Sequence, residues 1–315
     1  MVCGLSGCGP TYPKERFKES ILKVCKDEYK LDVKVDTIGK TIAIYVPLSD
    51  LMDFTFAITK HASEKINDVI LSVSRVALSS DANFDFYCVI AHDVRVPEIQ
   101  IVIIKSVDDI KRFMLNDISR NEYFKRMLID LRLNPQSQKE YSIRQVFEKM
   151  GFDPKWQDEV MNDFFRSAPA ALGDIGYWGD RFYVKDISLA EFLAEQIASR
   201  IKIEFKEDKA LEEAFSIKSA KGSYLKAEDG KHYFRLETLA ESKYFNDVEL
   251  GKPTDTIFRA ALKVASEVIH GYRFGDFDCV EIIDQRDGRI IRVSKDDLEA
   301  FRKKKVRFEE MGKGM

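Results

Sequence analysis

Apolar side chains recur at helical spacing near the start of the chain, at Phe17, Ile21, Val24 and Cys25. That spacing predicts a helix ending near Tyr29. The period then drops to two, with Leu31, Val33 and Val35 alternating with polar residues as a half-buried strand. Ile38, Gly39 and Lys40 turn it into a second strand over 41–48, a hairpin. Over 59–79 the period returns to 3.6, with Ile66, Val69, Ile70, Val73 and Ala77 on one face of a long amphipathic helix. Strands over 84–91 and 99–105 then form a second hairpin around 93–97, followed by a helix capped by Ser106. The predicted unit is α-β-β-α-β-β-α, an α+β arrangement in which one face of an antiparallel sheet lies under helices.

The same pattern returns later in the chain. At an offset of 191 residues, 39–89 matches 230–280 without gaps at eleven positions, among them Gly39, Lys40, Ile66, Val73, Asp85, Phe86 and Cys88. Chance at this composition gives about three. After a three-residue deletion Ser106, Asp108, Asp109 and Phe113 face Ser294, Asp296, Asp297 and Phe301. The long helix over 59–79 has its counterpart over 254–270. The second copy's leading helix and strand are expected over 188–205, with an insertion within 206–229. Between the copies, Ser119 and Glu122 form a capping box that predicts a helix through Leu131, broken over 134–138. Asp153 and Pro154 read as a further helix start, with Trp156, Val160, Met161, Phe164 and Phe165 as its apolar face. The expected organisation is a tether over 1–13, a first repeat over 14–118, a helical and loop connector over 119–187 and a second repeat over 188–315.

Composition narrows the function classes. Apolar residues at 45% and charged residues at 33% suit packed cores under a solvated surface. The 50 basic and 53 acidic side chains leave a net charge of -3, without the basic footprint of nucleic-acid binders. The longest apolar runs have strand length, so no membrane span is expected. The five cysteines, at 3, 8, 25, 88 and 279, form no Cys-x-x-Cys pair and no zinc-spaced cluster, so no metal or cofactor is assigned.

The first ten residues place Leu5, Ser6 and Gly7 immediately before Cys8. This resembles the lipobox of bacterial lipoproteins. The resemblance implies diacylglycerol on the Cys8 sulfur, a membrane anchor and an envelope location facing the periplasm. It also implies that a positive n-region and an apolar core precede Met1. Acyl chains contribute about 0.8 kcal/mol per buried methylene, so several together hold a domain on a bilayer durably. Gly9 and Pro10 begin a short non-helical leash.

Other chemistry is sparse. The four histidines, His61, His92, His232 and His270, lie in no metal or triad motif. His92 and Asp93 form a conceivable acid/base pair at a hairpin, where turn polarity accounts for them better. Ser20-x-x-Lys23 has the nucleophile spacing of penicillin-recognising enzymes but lacks their companion motifs. Gly173, Gly176 and Gly179 recur every third residue without phosphate-loop context. Tyr177 and Trp178 among them are candidate aromatic anchors for a partner, against packing back on a repeat. Asp108–Asp109 and Asp296–Asp297 fit helix starts, and the basic run over 302–305 fits a helix end. No catalytic residue is assigned. The function expected is a non-enzymatic envelope lipoprotein that binds or assembles a periplasmic protein. The alternatives are an exported enzyme acting on cell-wall polymers and a cytosolic ligand-binding or regulatory protein.

Overall fold

The computed structural model describes residues 12–53, 55, 57–96, 99–133, 150–151, 153, 171–243 and 253–311. Cys8 and the apolar face expected over 156–165 lie outside them. The chain is mixed α+β and divides into two compact units, Met1–Ile187 and Ser188–Met315. Among the described residues no helix is long and apolar enough to cross a membrane.

The first unit follows the predicted order: α1 (Phe17–Tyr29), β1 (Lys34–Ile38), β2 (Thr41–Leu48), α2 (Lys60–Leu78), β3 (Phe86–Asp93), β4 (Ile99–Ser106) and α3 (Val107–Met114). Helix α2 crosses between β2 and β3, which pair in parallel, and the other pairs are antiparallel. Thr59 caps α2 by accepting from the Ala62 N–H, and Ser106 caps α3 by accepting from Asp108. Ile21, Ile42, Ile44, Val69, Val73, Val89 and Ile101 join in one core between helices and sheet.

The helix expected from Ser119 to Leu131 stops early. Ser119 caps a short α4 (Arg120–Lys125), and β5 (Leu128–Leu133) follows as the fifth strand, antiparallel to β4. Every residue of β4 is buried, so an unpaired β4 edge would leave backbone groups stranded among apolar side chains, and strand pairing prevails over the helix signal. The segment 119–187 therefore serves the first unit. A two-stranded hairpin, β6 (Gly176–Trp178) and β7 (Arg181–Tyr183), follows within it.

The second unit runs α5 (Leu189–Glu207), α6 (Lys209–Ala214), β8 (Phe215–Lys226), β9 (His232–Ser242), α7 (Pro253–Gly271), β10 (Cys279–Asp284), β11 (Ile290–Ser294) and α8 (Lys295–Arg302), with sheet order β11-β10-β9-β8. The strand expected within 188–205 is absent. A capping box of Ser188 and Glu191 starts α5, and buried Phe192, Leu193, Ile197, Ile201 and Phe205 sustain it to its end. The first strand is β8, inside the stretch expected to be an insertion. Strand β8 lies so close to α5 that a side chain at Gly222 would place its first carbon 1.9 Å from the Ala194 carbonyl oxygen.

The two units share more than their order. Gly39 and Gly230 both turn the first hairpin with positive φ, +56° and +86°. In each unit the middle strands are parallel and the helix after the fourth strand starts from a serine cap. The Asp85 N–H donates to the Lys40 carbonyl, and the Val107 N–H donates to the Asp85 carbonyl. Asp278 stands likewise between His232 and Lys295. This makes Asp278, not Asp276, the counterpart of Asp85. Asp93 and Asp284, at the C-terminal ends of β3 and β10, keep the offset of 191. The second unit's third strand is two residues shorter, a change that preserves which face each side chain takes.

Candidate functional site

In the second unit, α5, α6, α7 and the segment after α8 enclose a cleft of about 770 Å³. Along α7 its wall is Thr256, Arg259, Ala260, Lys263, Ser266 and Glu267, positions that recur on one helix face. Leu211, Ala260, Phe301 and Val306 supply apolar surface. Five cationic side chains, Arg259, Lys263, Arg302, Lys304 and Arg307, line the cleft against three acidic ones, Glu204, Asp208 and Glu267. Lys263 donates to Glu204 at 2.7 Å, a bond that raises its pKa. Arg259 pairs with Glu309 at 2.5 Å and stacks over Phe308, which holds the C-terminal segment against α7. Glu299, bonded by Arg302 and Lys303, has its pKa lowered to about 2. Lys304 and Arg307 have no ion-pair partner among the described residues. With Glu309 and Glu299 bonded to Arg259 and Arg302, the five cations around this apolar surface are matched by five carboxylates. The sequence showed only the basic run over 302–305 as a helix end, and not the approach of 301–307 to α7 that forms the cleft.

Tyr177 and Trp178, the sequence's candidate anchors, are both only 7% exposed. Tyr177 stacks on Tyr45 with ring centroids 3.9 Å apart. Its backbone N–H donates to Gln100 Oε1 at 3.0 Å, the Gln100 amide donates to its carbonyl, and Arg132 donates to the Ile175 carbonyl. Tyr45, Gln100 and Arg132 all stand on the sheet face away from the helices. The β6–β7 hairpin thus covers the outer face of the first sheet, and its aromatic side chains are spent on that packing rather than offered to a partner. Lys34 donates to the Tyr177 hydroxyl at 2.6 Å and pairs with Asp180 at 3.1 Å; both contacts raise its pKa. Beneath the hairpin, burial pushes the Cys88 thiol up to about 12, which makes it an inert core group.

A polar cluster lies on the helix side of the same sheet. Asp109, fully buried, pairs with Arg126 at 2.9 Å, and Arg126 also bonds Glu122 at 2.7 Å. The aspartate expected only to favour a helix start is thus half of a buried ion pair. Nearby, Lys105 Nζ sits 2.9 Å from the centroid of the Tyr123 ring with no hydrogen-bond partner, and burial lowers its pKa to about 7. Burial likewise raises Tyr123 to about 12 and Tyr87 well above its ordinary value. Lys105 is inaccessible to solvent, so this is a packing device rather than an open reaction centre.

The remaining candidates separate. His92 Nδ1 is 2.7 Å from the Tyr45 hydroxyl, whereas Asp93 accepts from the Leu51 N–H and from Arg95. The two neighbours form no acid/base pair. Asp93-x-Arg95 recurs as Asp284-x-Arg286, whose arginine donates to Thr254 at the start of α7. Both clamps tie the end of the third strand to the chain entering the middle helix. Ser20 donates to the Arg16 carbonyl within α1, and Gly173, Gly176 and Gly179 lie in a 3-10 turn and the β6–β7 hairpin. Asp297 bonds its cap residue Ser294. Among the described residues no group of His, Cys, Asp and Glu side chains is placed to hold a metal ion. No family model, curated protein or solved structure matches the chain.

Proposed function

We propose that the protein is a lipid-tethered, non-enzymatic factor of the bacterial envelope that binds or assembles a periplasmic protein. The observation that carries this reading is the position of Cys8, behind Leu5, Ser6 and Gly7, just before the fold begins. Tyr12 bridges to Ser80, its N–H donates to the Ser79 carbonyl, and the Lys14 N–H donates to Asp81 at 2.7 Å. Tyr12 lies four positions after Cys8, a reach of at most about 14 Å. A diacylglycerol on Cys8 would hold the first unit close against the bilayer surface, and the second unit's cleft supplies a surface for a partner. The test is palmitate labelling of the protein expressed from its genomic locus, with Cys8→Ala in parallel and separation of membrane from soluble material. The expected result is label and membrane association in the parent and neither in the variant. No label in the parent, with the protein in the soluble fraction, would overturn the reading.

A further inference from the structure

We propose that two copies of the chain join along β5, edge to edge, into one continuous sheet. The inference stands apart from the tether and from any envelope partner. Strand β5 is an edge of the five-stranded sheet, and among the described residues no strand pairs with its outer side. Its register with β4 places Leu131 opposite Ile101 and Ile129 opposite Ile103, on the face that carries the helices. Ile101 and Ile103 are 2% and 6% exposed, whereas Leu131 and Ile129 are 47% and 55% exposed. The apolar rows of the core thus run out to the edge and stop there with their last side chains in water. One further strand would cover them. Sheet edges are ordinarily blunted against such pairing by lysines, prolines or bulges. Strand β8, an edge of the second sheet, has Lys218, Lys221 and Lys226 and a bulge between Ile217 and Ser219. Strand β5 has no lysine or proline and pairs with β4 without a shift.

Charge selects the occupant and its register. On the other face of β5, Asp130 and Arg132 stand two residues apart and bond each other at 3.1 Å. A two-fold axis along the sheet normal pairs two β5 strands antiparallel and keeps both sets of helices on one side. Residues opposite each other must then share a face, so the axis passes through a residue and not between two. Through Asp130 it sets Asp130 against its own copy, and through Arg132 it sets Arg132 against its own copy, like charge against like. Through Leu131 it sets Asp130 of each copy opposite Arg132 of the other. Two ion pairs then join into one alternating network, with Leu131 against Leu131 on the helix side. On β11 the same operation sets Arg292 opposite itself, Ile290 or Ser294. On β1, Lys34 and Asp36 are already engaged by Asp180 and Lys18. The β5 contact uses the same surface of both copies, so it closes at a dimer.

The test uses the full chain with Cys8→Ala, so that no lipid contributes, in sedimentation velocity up to about 100 μM. The expected result is a concentration-dependent equilibrium between the 36.3 kDa chain and its dimer, with no larger species. Leu131→Lys, which puts two ammonium groups on the axis, should weaken the dimer about tenfold or more. Leu131 is half exposed, so an unchanged circular dichroism spectrum verifies that the variant is folded. Two cysteine variants read the register. Across the axis a Leu131→Cys pair stands about 4.5–5.5 Å apart, within disulfide reach, and an Asp130→Cys pair about 7–8 Å apart. Mild oxidation should therefore link Leu131→Cys chains through that position, identified by mass spectrometry, and leave Asp130→Cys chains unlinked there. A monomer throughout, open-ended oligomers, a dimer indifferent to Leu131→Lys, failure of position 131 to link, or linkage through position 130 would each overturn the proposal.

Discussion

The two units share a scaffold and differ in what lies on the sheet face turned away from their helices. In the first, Ala43, Cys88, Ile90 and Val102 on that face are buried, and the hairpin carrying Tyr177 closes over it. In the second, the equivalent face carries Arg235, Glu281 and Arg292. Burial raises the Glu281 pKa, but bonds from Arg292 at 2.5 Å and Arg235 at 2.6 Å outweigh it and hold the carboxyl below its usual range. One copy thus covers its outer face with its own chain, and the other meets it with an ion-pair ladder. The duplicated architecture tolerates either because the face is set by strand parity alone. The first unit spends its aromatic side chains on closure. On the helix side each unit carries an open cleft, about 440 Å³ along α1 in the first and about 770 Å³ along α7 in the second.

That comparison can be broken at several points. The largest effect belongs to Gly222→Ala, which forces β8 away from the Ala194 carbonyl and should cost about 3 kcal/mol or more in denaturant unfolding. The same substitution at Gly230, with open space around it, meets only backbone strain and should cost about 1 kcal/mol. The twin clamps should separate next. Asp93 accepts from two backbone N–H groups and a guanidinium, whereas one Asp284 oxygen has no hydrogen-bond partner. Asp93→Ala should cost about 2–3 kcal/mol and Asp284→Asn about 1 kcal/mol or less. Equal costs would show that the clamps do not differ as their hydrogen bonds do.

Lys105→Met probes the buried lysine, whose counterpart before the serine cap of the second unit is the buried Val293. The native pKa, about 7, lies below the ordinary value of 10.5. Below pH 7 both folded and unfolded chains carry the proton, and the native state bears the full burial penalty. Between pH 7 and 10.5 only the unfolded chain keeps it, so the penalty is relieved as pH rises. Lys105→Met should therefore stabilise the protein by about 2 kcal/mol at pH 6, with the gain shrinking toward pH 10. A gain independent of pH would show that packing, not charge, is what the lysine costs.

Much of the fold was legible from residue patterns, for identifiable reasons. The change of period from 3.6 to 2 located α1, β2, α2, β3 and β4, and the matching Gly39 and Gly230 exposed the repeat. The sequence reading placed only one face of the sheet under cover, and the burial of both faces of β3 and β4 emerged only with the hairpin that closes over them. What misled was local strength. The Ser119 cap is real, its side chain accepting from the Glu122 N–H, but it starts a helix of only six residues before β4 recruits the chain as β5. Asp109 resembles a dipole-favoured helix start and is also a buried ion-pair partner, because Arg126 returns to it from seventeen residues away. The cleft was invisible for the same reason: Arg307 and Thr256 share it only after the fold brings the end of the chain back along α7. Tyr177 and Trp178 were found by composition, but their burial depends on the sheet they cover.

The most direct test of the contrast between a covered outer sheet face and a charged one is alkylation of the native protein's thiols, read residue by residue by mass spectrometry. Cys88, buried on the outer face of the first sheet, should resist labelling, whereas Cys279, half-buried at the start of β10, should react. Equal labelling of the two, or faster labelling of Cys88, would contradict the contrast.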